Sequence, residues 1–203
     1  MKDYILMKKT SAYKSIVVGL VLMIATLACE NPNQTTNASK TYFDLRGFMQ
    51  KQITNLSKTK PEVKKMVVNN GKSATKNVSV KDWEKELRMF VNSDINKTAL
   101  IGTYTIKNYK GDNGGNFVKY TSKEEKNTVQ SMTIELDASK KQAKSIMVIA
   151  GNNNVLFSSG TQLHLTCKKN ANNQYQIASY SIKGFQKIIM REKRPYEIKA
   201  EIL

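Results

Sequence analysis

A single histidine and two cysteines are the scarcest chemically versatile residues in this 203-residue chain, and their scarcity excludes much catalysis. One imidazole cannot furnish a metal site, or an acid–base pair, that needs two. It belongs to His164, in the alternating stretch Leu163-His164-Leu165-Thr166-Cys167, so it projects to the opposite strand face from Cys167 and cannot act as that thiol's base. Cys167 reads as a small core residue. The serines form no Gly-x-Ser-x-Gly elbow. Gly111-Asp112-Asn113-Gly114-Gly115 has the glycines of a phosphate loop without its lysine, its serine or threonine, or a following helix, and reads as a hairpin tip. Carboxylate pairs remain: Glu84 with Glu86, Glu124 with Glu125, Glu135 with Asp137. Glu84 falls on the solvent side of an expected helix, Glu124 and Glu125 in a charged loop, and Glu135 and Asp137 on the polar face of a strand. The inventory predicts a protein that is not an enzyme and needs no cofactor or metal, with glycan hydrolysis as the one catalytic alternative.

The apolar run Ile16 to Leu27 is too short to span a bilayer, at about a dozen residues against the ~20 required. It follows a positive segment of Lys8, Lys9 and Lys14, the order and length of an export signal. Its end, Thr26-Leu27-Ala28-Cys29, resembles the lipobox of bacterial lipoproteins, in the looser form familiar among the Bacteroidota: Ala28 and Cys29 fit, while Thr26 and Leu27 depart from the commonest residues. The resemblance implies cleavage before Cys29 and attachment of fatty acyl chains to its sulfur. Residues 1–28 are then a signal peptide, 29–40 a tether and 41–203 one domain. Met7-Lys8-Lys9 is a more conventional start than Met1. The tether ENPNQTTNAS has no apolar periodicity and a root-mean-square reach of ~20 Å. An acidic cluster after the cysteine, associated in that family with surface display, is missing, which favours the periplasmic face of the outer membrane.

Acidic residues are also few, 16 against 33 lysines and arginines. Loss of 1–28 removes four lysines and one aspartate, leaving 29 against 15, a net charge of +14. Such a domain favours anionic surfaces, among them lipid head groups and acidic glycans. Export argues against nucleic acid, as does the lack of an RNA-binding or helix-turn-helix pattern. Lys140, Lys141 and Lys144 form a candidate basic contact patch.

Tyr42, Leu45, Met49, Ile53 and Leu56 recur at helical spacing and predict a helix over 41–57, capped by Ser39 or Thr41 and stopped by Pro61. A hairpin over 63–68 and 72–80 follows, turning at Asn69-Asn70-Gly71. Trp83, Leu87, Phe90 and Val91 predict a second helix over 80–91 that buries the only tryptophan. Beyond Leu100 the period becomes two, with strands expected over 100–109, 116–122, 131–137, 144–150, 155–159, 161–168, 174–182 and 185–190, and one near 196–202 that closes or edges the sheet. Short connections imply antiparallel neighbours.

The expected fold is therefore α+β, with two N-terminal helices packed on the concave side of a curved, mostly antiparallel meander. That outline is similar to the half-barrel of periplasmic lipoprotein carriers, although no sequence motif carries the likeness. The stretch FDLRGFMQKQI…WEKELRMFVNSDINKTAL, roughly Phe43 to Leu100, resembles the start of a family of uncharacterised Bacteroidota lipoproteins, which implies a location and no mechanism. Two roles fit: an envelope lipoprotein, held in the membrane by lipid at Cys29, that binds an apolar ligand in a groove between sheet and helices, or an assembly lipoprotein that docks an outer-membrane protein complex through its basic surface.

Overall fold

Residues that alternate between apolar and polar can be half-buried only as a strand, and that alternation organises the chain from Tyr104 to its end. The computed structural model describes residues 41–69 and 71–203. The signal, Cys29, the tether, Ser39 and Asn70 lie outside the described residues.

The strands are β1 (Glu62–Asn69), β2 (Lys72–Ser79), β3 (Tyr104–Lys110), β4 (Asn116–Ser122), β5 (Val129–Leu136), β6 (Ala143–Asn153), β7 (Phe157–Lys169), β8 (Tyr175–Ile188) and β9 (Arg194–Ile202). They form one open antiparallel sheet of nine strands in the order β2-β1-β9-β8-β7-β6-β5-β4-β3. Strands β3 to β9 are a continuous meander, and the β1–β2 hairpin joins it when β1 pairs with β9. The last strand thus neither closes the sheet nor edges it. It lies between β8 and β1.

Two expected strand breaks are absent. Gly160 and Lys183-Gly184 read as separators, yet β7 and β8 run straight through them. These glycines answer a need for space rather than a turn. A Cβ on Gly160 would lie 2.6 Å from the ring of Phe185, its cross-strand partner, and one on Gly184 would lie 2.7 Å from the Tyr196 hydroxyl. Gly71 does mark a turn, at φ 79°, between β1 and β2.

Helix α1 (Leu45–Thr59) begins four residues later than the periodicity suggests. The N–H of Tyr42 donates to Asn96 Oδ1 (3.0 Å) and that of Phe43 to the Tyr120 hydroxyl (3.0 Å), so both residues are held by tertiary bonds before the helix can start. Asp44 caps it, accepting the Gly47 N–H at 2.8 Å. Lys60 ends it in the left-handed region ahead of Pro61. The second expected helix is two short ones, α2 (Trp83–Glu86) and α3 (Arg88–Asn92), divided at the buried Leu87. Asp82 caps α2 through the Lys85 N–H, three residues beyond the end of β2 at Ser79.

One cluster unites these elements. Leu45, Met49, Ile53 and Leu56 of α1, with Trp83, Leu87 and Phe90, pack on Met132, Ile134, Ile146, Val148, Leu163, Leu165, Tyr180 and Ile182. The strand residues share one face, because Met132 is opposite Val148, Ile146 opposite Leu165 and Leu163 opposite Ile182. Gln52 locks α1 to a bulge: its side-chain amide donates to the Tyr175 carbonyl (2.9 Å) and accepts the Ile177 N–H (3.0 Å), where the β7–β8 register shifts. Face and helices are thus joined by apolar packing and by backbone bonds.

Candidate functional site

The opposite face of the sheet has no helix on it among the described residues. Lys64 and Met66 of β1, Lys199 and Glu201 of β9, Ser179 and Ser181 of β8 and His164 of β7 alternate with the core positions and point away from it. There they line a depression of about 520 Å³, with Thr75 and Lys168 at its rim. Lys64, Lys168, Lys199 and His164 line it with one carboxylate, Glu201, and Lys199 is also paired with Glu197 at 3.1 Å, so the excess positive charge is carried by Lys64 and Lys168, while Met66 and the stems of the lysines give it apolar walls. The charge of this surface is complementary to an anionic group, and of its two serines Ser179 already shares a hydrogen bond with Thr166 at 2.7 Å.

A second hollow, of about 470 Å³, lies between α1 and the turns that follow β5 and β7. Phe43, Phe48, Lys51 and Gln52 line one side, Lys141, Gln142 and Tyr175 the other. Its walls are half polar, and the Gln142 side chain already accepts the Tyr175 N–H at 3.0 Å.

The expected basic patch divides among different environments. Lys140 and Lys141 sit in the β5–β6 turn, Lys140 with φ 59°. The N–H of Lys141 and that of Gln142 donate to Asp137 Oδ1 at 2.9 and 3.0 Å, and the Ser139 hydroxyl to Oδ2 at 2.7 Å. These donors, Ser139 first, hold the Asp137 carboxyl down to about 2. The Lys144 ammonium bonds to Glu135, which raises its pKa. Of the three lysines, Lys144 therefore has a carboxylate partner of its own.

The candidate carboxylates are dispersed. Glu86 accepts from Lys65 (2.6 Å) and from the Tyr180 hydroxyl. Glu84 and Glu125 are exposed. Glu124 pairs with Lys126 at 2.9 Å. Cys167 is on the core-side face and His164 on the other, and burial pushes the thiol up to about 12. Among the described residues there is no group of three or more His, Cys, Asp or Glu side chains placed to hold a metal ion. No helix among them is long and apolar enough to cross a membrane.

The depression was not legible in the sequence, because Lys64, Lys168 and Lys199 come from strands far apart in the chain and meet only through the β1–β9–β8–β7 register. No family model matches the chain, and no curated protein or solved structure is significantly similar to it.

Proposed function

We propose that the chain is a non-catalytic lipoprotein of the bacterial cell envelope, held at Cys29 by fatty acyl chains, which docks an anionic partner in the basic depression on the open face of its sheet. The observation that carries this reading is the contrast between the two faces. Against the helices the sheet is closed by packed side chains such as Met49, Met132 and Ile146, all fully buried, and opposite them a recess of about 520 Å³ stands open. In this reading the sheet is a half-barrel with α1 to α3 in its hollow, supported by the single core they share with one sheet face. The turn lysines Lys140 and Lys141 add a second basic contact.

Cross-linking in cells tests the docking. The wild type should give a stable protein neighbour, and charge reversal at Lys64, Lys168 and Lys199 should abolish it. An unchanged yield would end the proposal. Globomycin should block processing, and Cys29→Ser should release the domain from membranes. Unaltered partitioning would remove the anchor.

A second reading, carriage of an amphipathic ligand between helix and sheet, is supported by the groove of about 470 Å³ beside Phe43 and Phe48. Native mass spectrometry of protein purified from membranes should then show a bound lipid mass.

A further inference from the structure

Two hairpins side by side at one end of the sheet carry apolar side chains where turn chemistry asks for polar ones. The loop between β6 and β7 turns at Val155 and Leu156. Its geometry comes from Asn154, whose side-chain oxygen accepts the N–H of Leu156 (3.0 Å) and of Phe157 (2.9 Å) while its own N–H donates to the Phe157 carbonyl (2.9 Å). Asparagine and glycine are the usual occupants of the tip of such a turn, because they tolerate its angles and suit water. Here the tip residues are apolar and project outward, Val155 88% exposed and Leu156 65%.

The loop between β8 and β9 repeats the pattern. The Arg191 N–H bonds to the Ile188 carbonyl at 3.0 Å, closing a turn whose third residue, Met190, has φ 59°. A long side chain is disfavoured in the left-handed region, which glycine enters freely. Met190 is nevertheless there, and it is 99% exposed. Among the described residues nothing covers its side chain. The two tips are bound together, since the Ile189 N–H donates to the Leu156 carbonyl at 2.9 Å and Phe157 pairs with Ile188. Val155, Leu156, Ile188, Ile189 and Met190 thus make one continuous apolar cap.

Charge collars this cap. Lys187, Arg191, Lys193 and Arg194 flank it against a single acid, Glu192, and all are exposed. Lys193 is oriented by the ring of Phe185, 3.7 Å from its ammonium. An apolar cap would suit a protein groove or a bilayer. A cap ringed by four cations suits the second, where acyl chains lie under a layer of anionic phosphates.

We infer that the paired hairpin tips insert into the interfacial region of an anionic lipid leaflet, Val155, Leu156, Ile189 and Met190 entering the acyl boundary while Lys187, Arg191, Lys193 and Arg194 meet the head-group phosphates. This deepens the membrane-side reading above, yet it is independent of lipid at Cys29, because the tip touches the bilayer by its own surface. It would fix the orientation of the domain on the leaflet.

Depth-resolved fluorescence tests the tip in the full chain however the chain is held on a vesicle. Met190→Trp is made in a protein whose only native tryptophan, Trp83, is buried in the core. In vesicles of phosphatidylglycerol and phosphatidylethanolamine with brominated acyl chains, the new indole should be quenched and blue-shifted, while wild-type emission stays unquenched. Val155→Asp combined with Ile189→Asp should weaken partition of a Cys29→Ser chain roughly tenfold or more, as burying apolar side chains requires, whereas Ile106→Asp, at an exposed apolar position on β3, should not. An unquenched indole at 190 on vesicles that retain the chain would overturn the inference while leaving the anchor intact. Loss of membrane association in Cys29→Ser cells with quenching preserved would support the tip and show the anchor to be the main tether. A photo-cross-linker at 190 that captures a protein in cells, with no quenching in vesicles, would assign the cap to a protein groove and overturn the lipid reading.

Discussion

The Tyr180 hydroxyl donates to the carboxylate of Glu86 across 94 residues of sequence, and the same carboxylate takes the Lys65 ammonium at 2.6 Å. Three elements therefore meet at one side chain: β1 through Lys65, α2 through Glu86 and β8 through Tyr180. Both ions are less than a quarter exposed, so the pair is shielded more than a surface bridge and less than a core one. Removing the carboxylate in Glu86→Ala leaves a lysine and a phenol facing each other without an acceptor. That variant should lose about 2–3 kcal/mol, which lowers the melting midpoint of a domain of this size by roughly 4–12 °C. Glu86→Gln keeps an acceptor for Tyr180 and should lose about half as much. Equal losses in the two variants would show that the contact is packing rather than electrostatics.

Trp83 anchors α2 beneath the sheet's helix side, fully enclosed, and its indole N–H has no hydrogen-bond partner among the described residues. A buried unpartnered donor costs about 1–3 kcal/mol. Trp83→Phe should therefore be nearly neutral in urea denaturation, since the small cavity it opens is offset by the removed donor. Trp83→Ala removes the same donor but opens a far larger cavity, and should lose about 3–5 kcal/mol.

Alkaline stability follows from the half-buried thiol of Cys167 and the buried phenols of Tyr104 and Tyr180. Burial pushes the Cys167 thiol up to about 12, burial with the nearby Tyr42 pushes Tyr104 up to about 12, and burial with the bond to Glu86 raises Tyr180. Each group keeps its proton in the fold beyond the pH at which it would lose it in the unfolded chain, about 8.5 for cysteine and 10 for tyrosine. The unfolded state then binds fewer protons, so stability falls as pH rises through those unfolded values and continues to fall towards the folded ones. The denaturation midpoint should hold steady between pH 7 and 8 and decline from about pH 8.5. Cys167→Ala should delay the onset towards pH 10, because only the tyrosines then remain to drive it. For the same reason, alkylation of Cys167 at pH 8 should track unfolding.

Much of the sheet was legible because its signal is local. Met132, Ile134 and Leu136 alternate with Thr133 and Glu135 whatever lies beside them, and Gly71 and the 111–115 glycines announce their turns. What misled was glycine with a partner elsewhere. Gly160 and Gly184 look like breaks in the chain and are clearances for Phe185 and Tyr196, two rings that only the register reveals. The helical period through 80–91 placed Leu87 on the buried stripe, where it lies, but it did not show that the helix would divide at that residue. The sites were least legible. Periodicity carried Val155 and Met190 into neighbouring strands as ordinary apolar residues. Their exposure became visible only once Asn154 and the Ile188–Arg191 bond had turned the chain beneath them.

Met190 separates what folding favours from what binding favours. At φ 59° a non-glycine residue costs about 1 kcal/mol relative to glycine, and the exposed side chain returns no packing energy. Met190→Gly relieves that conformation, though the greater freedom of glycine in the unfolded chain takes back about 0.5–1 kcal/mol. The thermal midpoint should consequently be unchanged or slightly raised. If the side chain exists to enter a lipid leaflet, the same substitution should weaken binding of a Cys29→Ser chain to anionic vesicles. It should leave the salt dependence conferred by Lys187, Arg191, Lys193 and Arg194 in place, because the collar is untouched. Isothermal titration with phosphatidylglycerol vesicles and a melting curve on the same two proteins decide the matter. A residue kept for structure would move the melting curve and spare the titration, whereas a residue kept for the membrane does the reverse.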